Sequence, residues 1–450
     1  MPVKYITVTP ITNLFVPATR SFGNIAIIGA VAATTHGPKK IPVPITNPLS
    51  VSFQSAQSLT TSAATANTSA TLTFGAVPAT IVPGMAVTDL TSGAVIPPGT
   101  FVNSTTATTV VMNQNAAGAG VGSGDTISIG WPNGNPVNDP GWFSGALADS
   151  VSLAFAQTPG PTTIWAIATD PNDGANAVAN GLAAAAKINA QIVVLANTPL
   201  AGTAAAIGKA DIEALATHCN TVSNTGGDGM ERIGVAMLGN GITDTTLISA
   251  TMAQNRMTMI AHHSTADAAA AVAGVIAGYQ PHISLLLKPL TLDMDTVFSD
   301  SEIDAFNTAR INWATQTPLI PGAGFYMGEG YTLGTDQPYV DIVRTIDEIS
   351  FDLKAALIRS IGFLRVTRAG LRALVSEMSA VLQPLEDDGV IDSYLVYFPL
   401  LTLLDKDPAT LTDVELQEIH NAQASRTIDS IVTIEYAGAI HRLNITLKFE

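Results

Sequence analysis

Between residues 162 and 278 the chain alternates short β-branched runs with alanine-rich helical ones, and this rhythm restricts the fold more than any other feature. TTIWAIA (162–168), QIVVLA (191–196), RIGVAML (232–238) and residues 257–261 read as strands. Residues 175–190, 211–222, 244–254 and 266–278 read as helices. Apolar strands separated by helices predict βαβ units around a largely parallel sheet with both faces covered. FGNIAIIGAV (22–31) reads as a further buried strand, closed by a turn at Gly37-Pro38.

Composition changes sharply near residue 52. From there to about 130, Ser, Thr, Ala, Gly and Val dominate, and Lys, Arg and Glu are absent. β-rich runs at 70–74, 85–89 and 108–112 are separated by turns such as Val82-Pro83-Gly84 and Pro97-Pro98-Gly99. These signals predict a small all-β module inserted into a loop of another domain, with a disordered Ser/Thr linker as the alternative for 54–69. The C-terminal third changes again. Amphipathic helices are expected over 339–360 and 367–383, and a strand over 389–398. A short helix follows over 412–424, with Thr412 as N-cap and Glu415 completing a capping box. Residues 430–450 read as two strands around Ala437-Gly438, forming a hairpin or one bent arm. Residues 1–20, with Tyr5, Thr7 and Thr9 alternating with Ile6, Val8 and Pro10, read as extended and lack a local hairpin partner.

The expected fold class is therefore a multi-domain α/β (α+β) chain. An N-terminal arm covers 1–20, and an α/β core covers 21–51 and 131–338. An inserted β-rich domain occupies 52–130, an α+β domain 339–429, and a C-terminal strand arm 430–450.

With 450 residues the chain can bury sizeable cores without staples. Charged residues make up only 12%, about half the usual share. The shortage fits a surface meant for burial against neighbours, although heavy Ala, Thr and Gly usage gives the same number. A net charge of −16 argues against a nucleic-acid footprint. The single cysteine, Cys219, rules out an intramolecular disulfide or a multi-cysteine metal site and suits a reducing compartment. The start lacks the apolar stretch of a signal peptide, and the run from Ile25 to Ala33 is too short to span a bilayer. No membrane insertion is expected.

A search for chemistry returns nothing above background. His262 and His263 are adjacent in a strand and so face opposite sides. His218 and Cys219 are adjacent on a helix and do not face each other, which makes Cys219 an inert helix residue. Gly322, Gly324, Gly328 and Gly330 match no dinucleotide or P-loop pattern. Gly118, Gly120, Gly122 and Gly124 alternate too regularly for a phosphate cradle. Asp170, Asn172 and Asp173 suggest a calcium loop, but Pro171 breaks the pattern. Glu386, Asp387 and Asp388 read as a solvated loop. No catalytic, cofactor-binding or metal-ligating residues are assigned, and no cofactor is expected.

From about Ala266 onward, the order of motifs resembles the contractile phage tail sheath family. AAAVAGVIAGYQP (269–281) resembles its alanine-rich helix, and LKPLTL (287–292) the short strand after it. SDSEIDAFNTARINW (299–313), ending at Asn312, resembles its helix-then-Asn element. YTLGTDQPYVDIVRTID (331–347), with Thr332, Leu333, Tyr339, Val343 and Arg344, is the most specific part. IDSIVTIEYAGAIHRLNITLKF resembles its C-terminal strand arm. The resemblance covers roughly 20–50 and 140–450 and leaves out the β module, which resembles an inserted decoration domain. Gly278-Tyr279-Gln280 stands where many sheaths carry Arg-Thr-Asp, and Thr345 replaces a common second arginine, so contacts made there are in doubt.

The resemblance implies a non-enzymatic sheath subunit polymerising as stacked homo-hexameric rings around an inner tail tube, in a virion tail assembled in the host cytoplasm. Contraction would drive the tube through the target envelope. Implied partners are the chain itself, the tail tube protein, the baseplate and the tail terminator. Terminal arms on flexible tethers can add strands to a neighbour's sheet while the globular bodies move. Tyr5, Ile6, Val8, Ile431, Val432, Ile434, Tyr436, Leu443, Ile445 and Leu447 are the expected inter-subunit strand residues. The β module is expected to project outward and to tolerate removal. Two other readings stay open: a doubly wound enzyme, which needs a polar switch-point site, and another virion component such as a tube or adhesin.

Overall fold

The computed structural model describes residues 22–31, 39–46, 57–79, 81, 83–92, 95–130, 145–202, 206–225, 229–316 and 324–441. The turn at Gly37-Pro38, the 1–20 arm and residues 442–450 of the C-terminal arm lie outside them. The fold is mixed α/β, in two units: Ser21–Arg344, and Thr345 onward. The division falls within one helix.

In the first unit, β1 (Asn24–Gly29) and β2 (Val43–Ile45) precede the β module. The module comprises β3 (Gln57–Ala63), β4 (Thr71–Phe74), β5 (Ala86–Asp89), β6 (Val102–Thr105), β7 (Thr109–Met112) and β8 (Thr126–Gly130). After it come α1 (Ala146–Phe155), β9 (Thr163–Ala168), α2 (Ala177–Ala185), β10 (Ile192–Leu200), α3 (Ala206–Asn224), β11 (Ile233–Leu238), β12 (Met257–Ala261) and α4 (Ala268–Gly278). The unit ends with β13 (Pro289–Leu290), α5 (Asp300–Ala309), β14 (Asn312–Thr315), β15 (Phe325–Met327) and the start of α6 (Val340–Leu357).

The main sheet runs β13-β15-β14-β12-β11-β10-β1-β9-β2. The six strands from β14 to β9 are parallel neighbours; β2, β15 and β13 join antiparallel at the margins. Strand alternation sorts the core into two layers. Ile25 and Ile27 join the cluster of α1 and α4, whereas Ala26 and Ile28 join that of α2 and α3. Helix α4 is buried from Ala268 through Ala277, which its small side chains permit. A Cβ at Gly274 would stand 2.3 Å from the Ala154 carbonyl oxygen, so only glycine allows that approach.

The β module is a six-stranded antiparallel sheet, β5-β8-β3-β4-β7-β6. Its two outer strands meet. Gly84 N–H donates to Val102 O at 2.7 Å, Val102 N–H to Met85 O at 2.8 Å, and Val87 N–H to Thr100 O at 2.9 Å. The sheet thus closes on itself as a small barrel around Leu72, Phe74, Val102, Val110, Ile127 and Ile129. The stretch 57–63, inside the region read alternatively as linker, is a strand between β8 and β4. Phe101 and Ala86 pack into the core cluster of the main sheet, so the module is seated as well as tethered.

Two sequence expectations need correction. Residues 244–254 are not a helix; only a single 3₁₀ turn, Thr245–Leu247, forms, capped by Asp244. Three threonines, Ile248, Asp244 and Ser249 give that stretch weak helix propensity. The helix expected to stop at Gln383 instead runs through Pro384, whose carbonyl accepts from Asp388 N–H at 2.9 Å.

From Thr345 the second unit holds the rest of α6, then α7 (Arg368–Asp387), β16 (Ile391–Tyr397), α8 (Pro399–Asp405), α9 (Asp413–Ser425) and β17 (Ile431–Tyr436). Thr412 and Glu415 form the capping box of α9. Strand β17 pairs antiparallel with β16, from Tyr397↔Ile431 to Ile391↔Tyr436. The second strand of the hairpin or bent arm expected about Ala437-Gly438 lies largely outside the described residues.

Candidate functional site

The motif residues Asn312, Thr332, Leu333, Tyr339 and Arg344 form a hydrogen-bonded bracket in the first unit, not a surface. Asn312 is buried at the head of β14, and its Nδ2 donates to Thr258 Oγ1 (2.8 Å), Tyr331 O (2.9 Å) and Met259 O (3.1 Å). Its Oδ1 accepts from Tyr331 N–H at 2.6 Å. A buried amide with both ends satisfied in this way fixes its surroundings without leaving an orphaned group. The Tyr331 and Tyr339 rings stack at 5.4 Å. Thr332 Oγ1 donates to Gln337 O at 2.6 Å, and Leu333 N–H to Met257 O at 2.8 Å. At the start of α6, Arg344 donates to Phe22 O (3.1 Å) and Tyr279 O (2.9 Å). The bracket ties the loop before α6 to β12, β14 and the end of α4.

The residues searched for chemistry hold the fold instead. His262 is buried; its Nε2 lies 3.0 Å from Leu238 O, and its Nδ1 accepts from Ser264 N–H at 3.1 Å. Burial pushes its pKa down to about 4. His263 packs separately on Phe298, ring centroids 4.3 Å apart. Burial pushes the Cys219 thiol up to about 12, far from a thiolate nucleophile. Its neighbour His218 is lowered to about 4 by burial and by Arg232. Arg232 is fully buried and donates to the carbonyls of Met230, Ala185 and Ile188. Between Asp170 and Asp173 lies Lys40, at 3.4 and 3.1 Å, so a side-chain ammonium sits where a calcium ion was considered. Among the described residues no three His, Cys, Asp or Glu side chains converge on a point.

The enzyme reading needs an open crevice where the strand order reverses, between β1 and β10. That position is packed. A Cβ at Gly29 would meet Ala196 Cβ at 2.4 Å and Leu147 Cβ at 3.5 Å. Beside it, buried Asp267 caps α4 through Ala270 N–H (3.0 Å) and accepts from Asn197 N–H (2.7 Å) and Ser150 Oγ (2.5 Å). Burial raises its pKa.

The second unit presents a different kind of surface. One face of the β16–β17 ribbon packs Tyr394, Val396, Val432 and Ile434 against Ile349 and Leu382. On the other face Leu395 is 62% exposed, Tyr397 42% and Ile431 54%. Alternation in a solvated strand predicts polar residues at such positions. Among the described residues no third strand joins the ribbon. The α6–α7 connection adds Ile361 and Phe363, 70% and 84% exposed. Beside it lies a cavity of about 690 Å³ lined by Leu357, Val366, Met378, Phe398 and Ile428. Of the expected strand residues, Ile431, Val432, Ile434 and Tyr436 thus lie in β17, hydrogen-bonded to their own chain; Tyr5, Ile6, Val8, Leu443, Ile445 and Leu447 lie outside the described residues. Sequence reasoning missed Leu395 and Tyr397, although the alternation in IDSYLVY carries the signal.

No family model and no curated protein matches the chain. Solved structures do. A chain of the anti-feeding prophage baseplate aligns with a TM-score of 0.48 at 15% identity, over 70% of this chain and 84% of that one. A chain of the sheath complex of an extracellular contractile injection system, in its contracted state, aligns at 0.46 and 14%, over 68% and 81%. The sheath tail protein of Desulfitobacterium hafniense aligns at 0.44 and 11%, over 88% and 93%.

Proposed function

We propose that the chain is a structural, non-enzymatic subunit of a contractile tail sheath. The observation that carries this reading is the two-stranded ribbon, in a unit of its own, whose outward face exposes Leu395, Tyr397 and Ile431 beside the polar Ser393, Thr433 and Glu435. Such a face loses water favourably only against another surface, at about 25 cal/mol per Å² buried. A ribbon of two strands accepts further strands through main-chain bonds. The motif order from Ala266 to Arg344, which resembles the tail sheath family, supports the same reading.

In this reading the chain forms hexameric rings stacked around an inner tube, with the baseplate and a terminator at the ends, in the tail of a virion or related injection machine. Residues 1–20 and the segment beyond Tyr436 are the donated strands. Ile431, Val432, Ile434 and Tyr436 serve the interface from within the ribbon. The 52–130 barrel is the decoration domain and the remaining first-unit residues the sheath core. Contraction releases energy stored in the extended lattice. A gain of about 1–2 kcal/mol per subunit, the size of one ordinary mutation's effect, sums over many copies and needs no nucleotide.

Negative-stain microscopy of the chain expressed alone tests the proposal. Wide hollow helical tubes are the expected result. Dispersed monomers that stay dispersed when tube and baseplate proteins are added would overturn it.

A further inference from the structure

Within residues 51–130 the only ionisable side chains are Asp89 and Asp125; the segment has no Glu, Lys, Arg or His. An 80-residue module with two charges would ordinarily leave both in water. Here both are inside, 7% and 8% exposed. They also sit together. Asp89 ends β5, Asp125 immediately precedes β8, and these strands are paired with Asp89 opposite Ile127. Ser92 links the two carboxylates. Its N–H donates to Asp89 Oδ1 at 3.0 Å and its hydroxyl to Asp125 Oδ2 at 3.0 Å.

The remaining partners are backbone groups. Thr91 N–H donates to Asp89 Oδ1 at 2.7 Å, and Gly122 N–H to Asp125 Oδ2 at 2.7 Å. Among the described residues neither carboxylate meets a cationic side chain, and Asp89 Oδ2 is buried with no hydrogen-bond partner. A buried carboxylate without a counter-charge is expensive, and a second one beside it compounds the cost. The Asp125 carboxylate is closely enclosed: a Cβ at Gly122 would stand only 3.1 Å from both of its oxygens, so glycine there lets the loop close over it.

From this the geometry points to a binding site for a hard divalent cation, Mg²⁺ or Ca²⁺, at the β5–β8 corner of the barrel. Asp89 Oδ2 and the Asp125 carboxylate supply the charge, and exposed Ser92 marks the solvent side. Two carboxylates, with water and backbone oxygens completing the shell, are within the ligand chemistry of both ions. With so few charged ligands, affinity falls in the weak range of extracellular calcium modules, a Kd on the order of 10⁻⁴–10⁻³ M.

The test is calorimetric titration of the full chain, stripped with chelator, with MgCl₂ and separately CaCl₂ at constant ionic strength, alongside Asp89→Asn and Asp125→Asn. Saturable binding of one ion per chain, weakened about tenfold or more by either variant, is the expected result; which salt binds identifies the ion. Scattered surface carboxylates on this acidic chain would bind equally in all three proteins, and that outcome overturns the proposal, as does no saturable binding to the wild type. If Asp89→Asn does not fold, Asp125→Asn and wild-type melting in each salt against NaCl decide alone. A melting temperature raised by the divalent ion in the wild type and not in Asp125→Asn supports the site; equal shifts sink it.

Discussion

The barrel at 57–130 and the ribbon of β16 and β17 are both antiparallel, both rich in Thr, Val and Ile, and they end in opposite conditions. In the barrel, the bonds between residues 84–87 and 100–102 join the two outer strands. The ribbon stops at two strands among the described residues and turns Leu395, Tyr397 and Ile431 outward. A lone two-stranded ribbon is marginal in water; this one rests a face on α7. Similar strand chemistry thus serves a region whose outer strands meet and one that, among the described residues, stops at two strands. What separates them is whether the chain supplies its own last neighbour.

The comparison can be broken or sharpened by substitution, taken here by size of effect on folding. Phe101→Ala empties the seat by which the barrel joins the main core and should cost about 3–5 kcal/mol. Calorimetry checks this; a loss under about 1 kcal/mol would mean that the barrel hangs free. Val102→Pro removes the donor to Met85 O and reopens the seam, costing about 3 kcal/mol. Aggregation of this variant through the new edge, read by light scattering, should accompany the loss.

Acid separates the barrel from the main sheet. His262 titrates near 6.5 when unfolded and at about 4 when folded. The folded state therefore holds fewer protons between these values. The stability present above pH 6.5 is lost as pH falls toward 4, by roughly 3 kcal/mol in all. Denaturant melts across that range should show the main sheet and its helices weakening, with His218 adding in the same direction. The barrel has no histidine and should not share the trend. Smallest on folding is the pair Leu395→Lys with Ile431→Lys, within about 0.5 kcal/mol because both sites are exposed. Its effect on assembly should be complete, with no tubes by microscopy; tubes of normal length would remove the ribbon's outward face from the interface.

Local pattern carried much of the fold. The parallel strands from β9 to β12 and helix α4 follow from apolar runs and alanine-rich spacing, and the cap of α9 from Thr412 and Glu415. Contacts distant in sequence were not legible. Closure of the barrel joins residue 84 to 102 through backbone atoms, which leave no mark on side-chain pattern. The pairing of β17 with β16 was not read from the sequence, because it rests on the core that Leu382 and Ile349 give the pair. The motif residues Asn312 and Arg344 were read as family markers; their work, satisfying carbonyls from four separate segments, depends on tertiary structure. Asp89 and Asp125 did leave a trace, as the sole ionisable positions in a long neutral stretch. Motif spacing could not find it, since the two lie far apart and match no ligand pattern.

Helix α6 starts in the first unit and runs on into the second. Tension applied to the second unit along this helix therefore arrives at its first turns. There Val340 N–H is held by Gly330 O at 2.9 Å, and Arg344 grips the carbonyls of Phe22 and Tyr279. These bonds reach three segments remote from one another in sequence, so the pull is shared among them rather than unzipping one at a time. The bracket around Asn312 then acts as a mechanical anchor, spreading force into the interior of the parallel sheet.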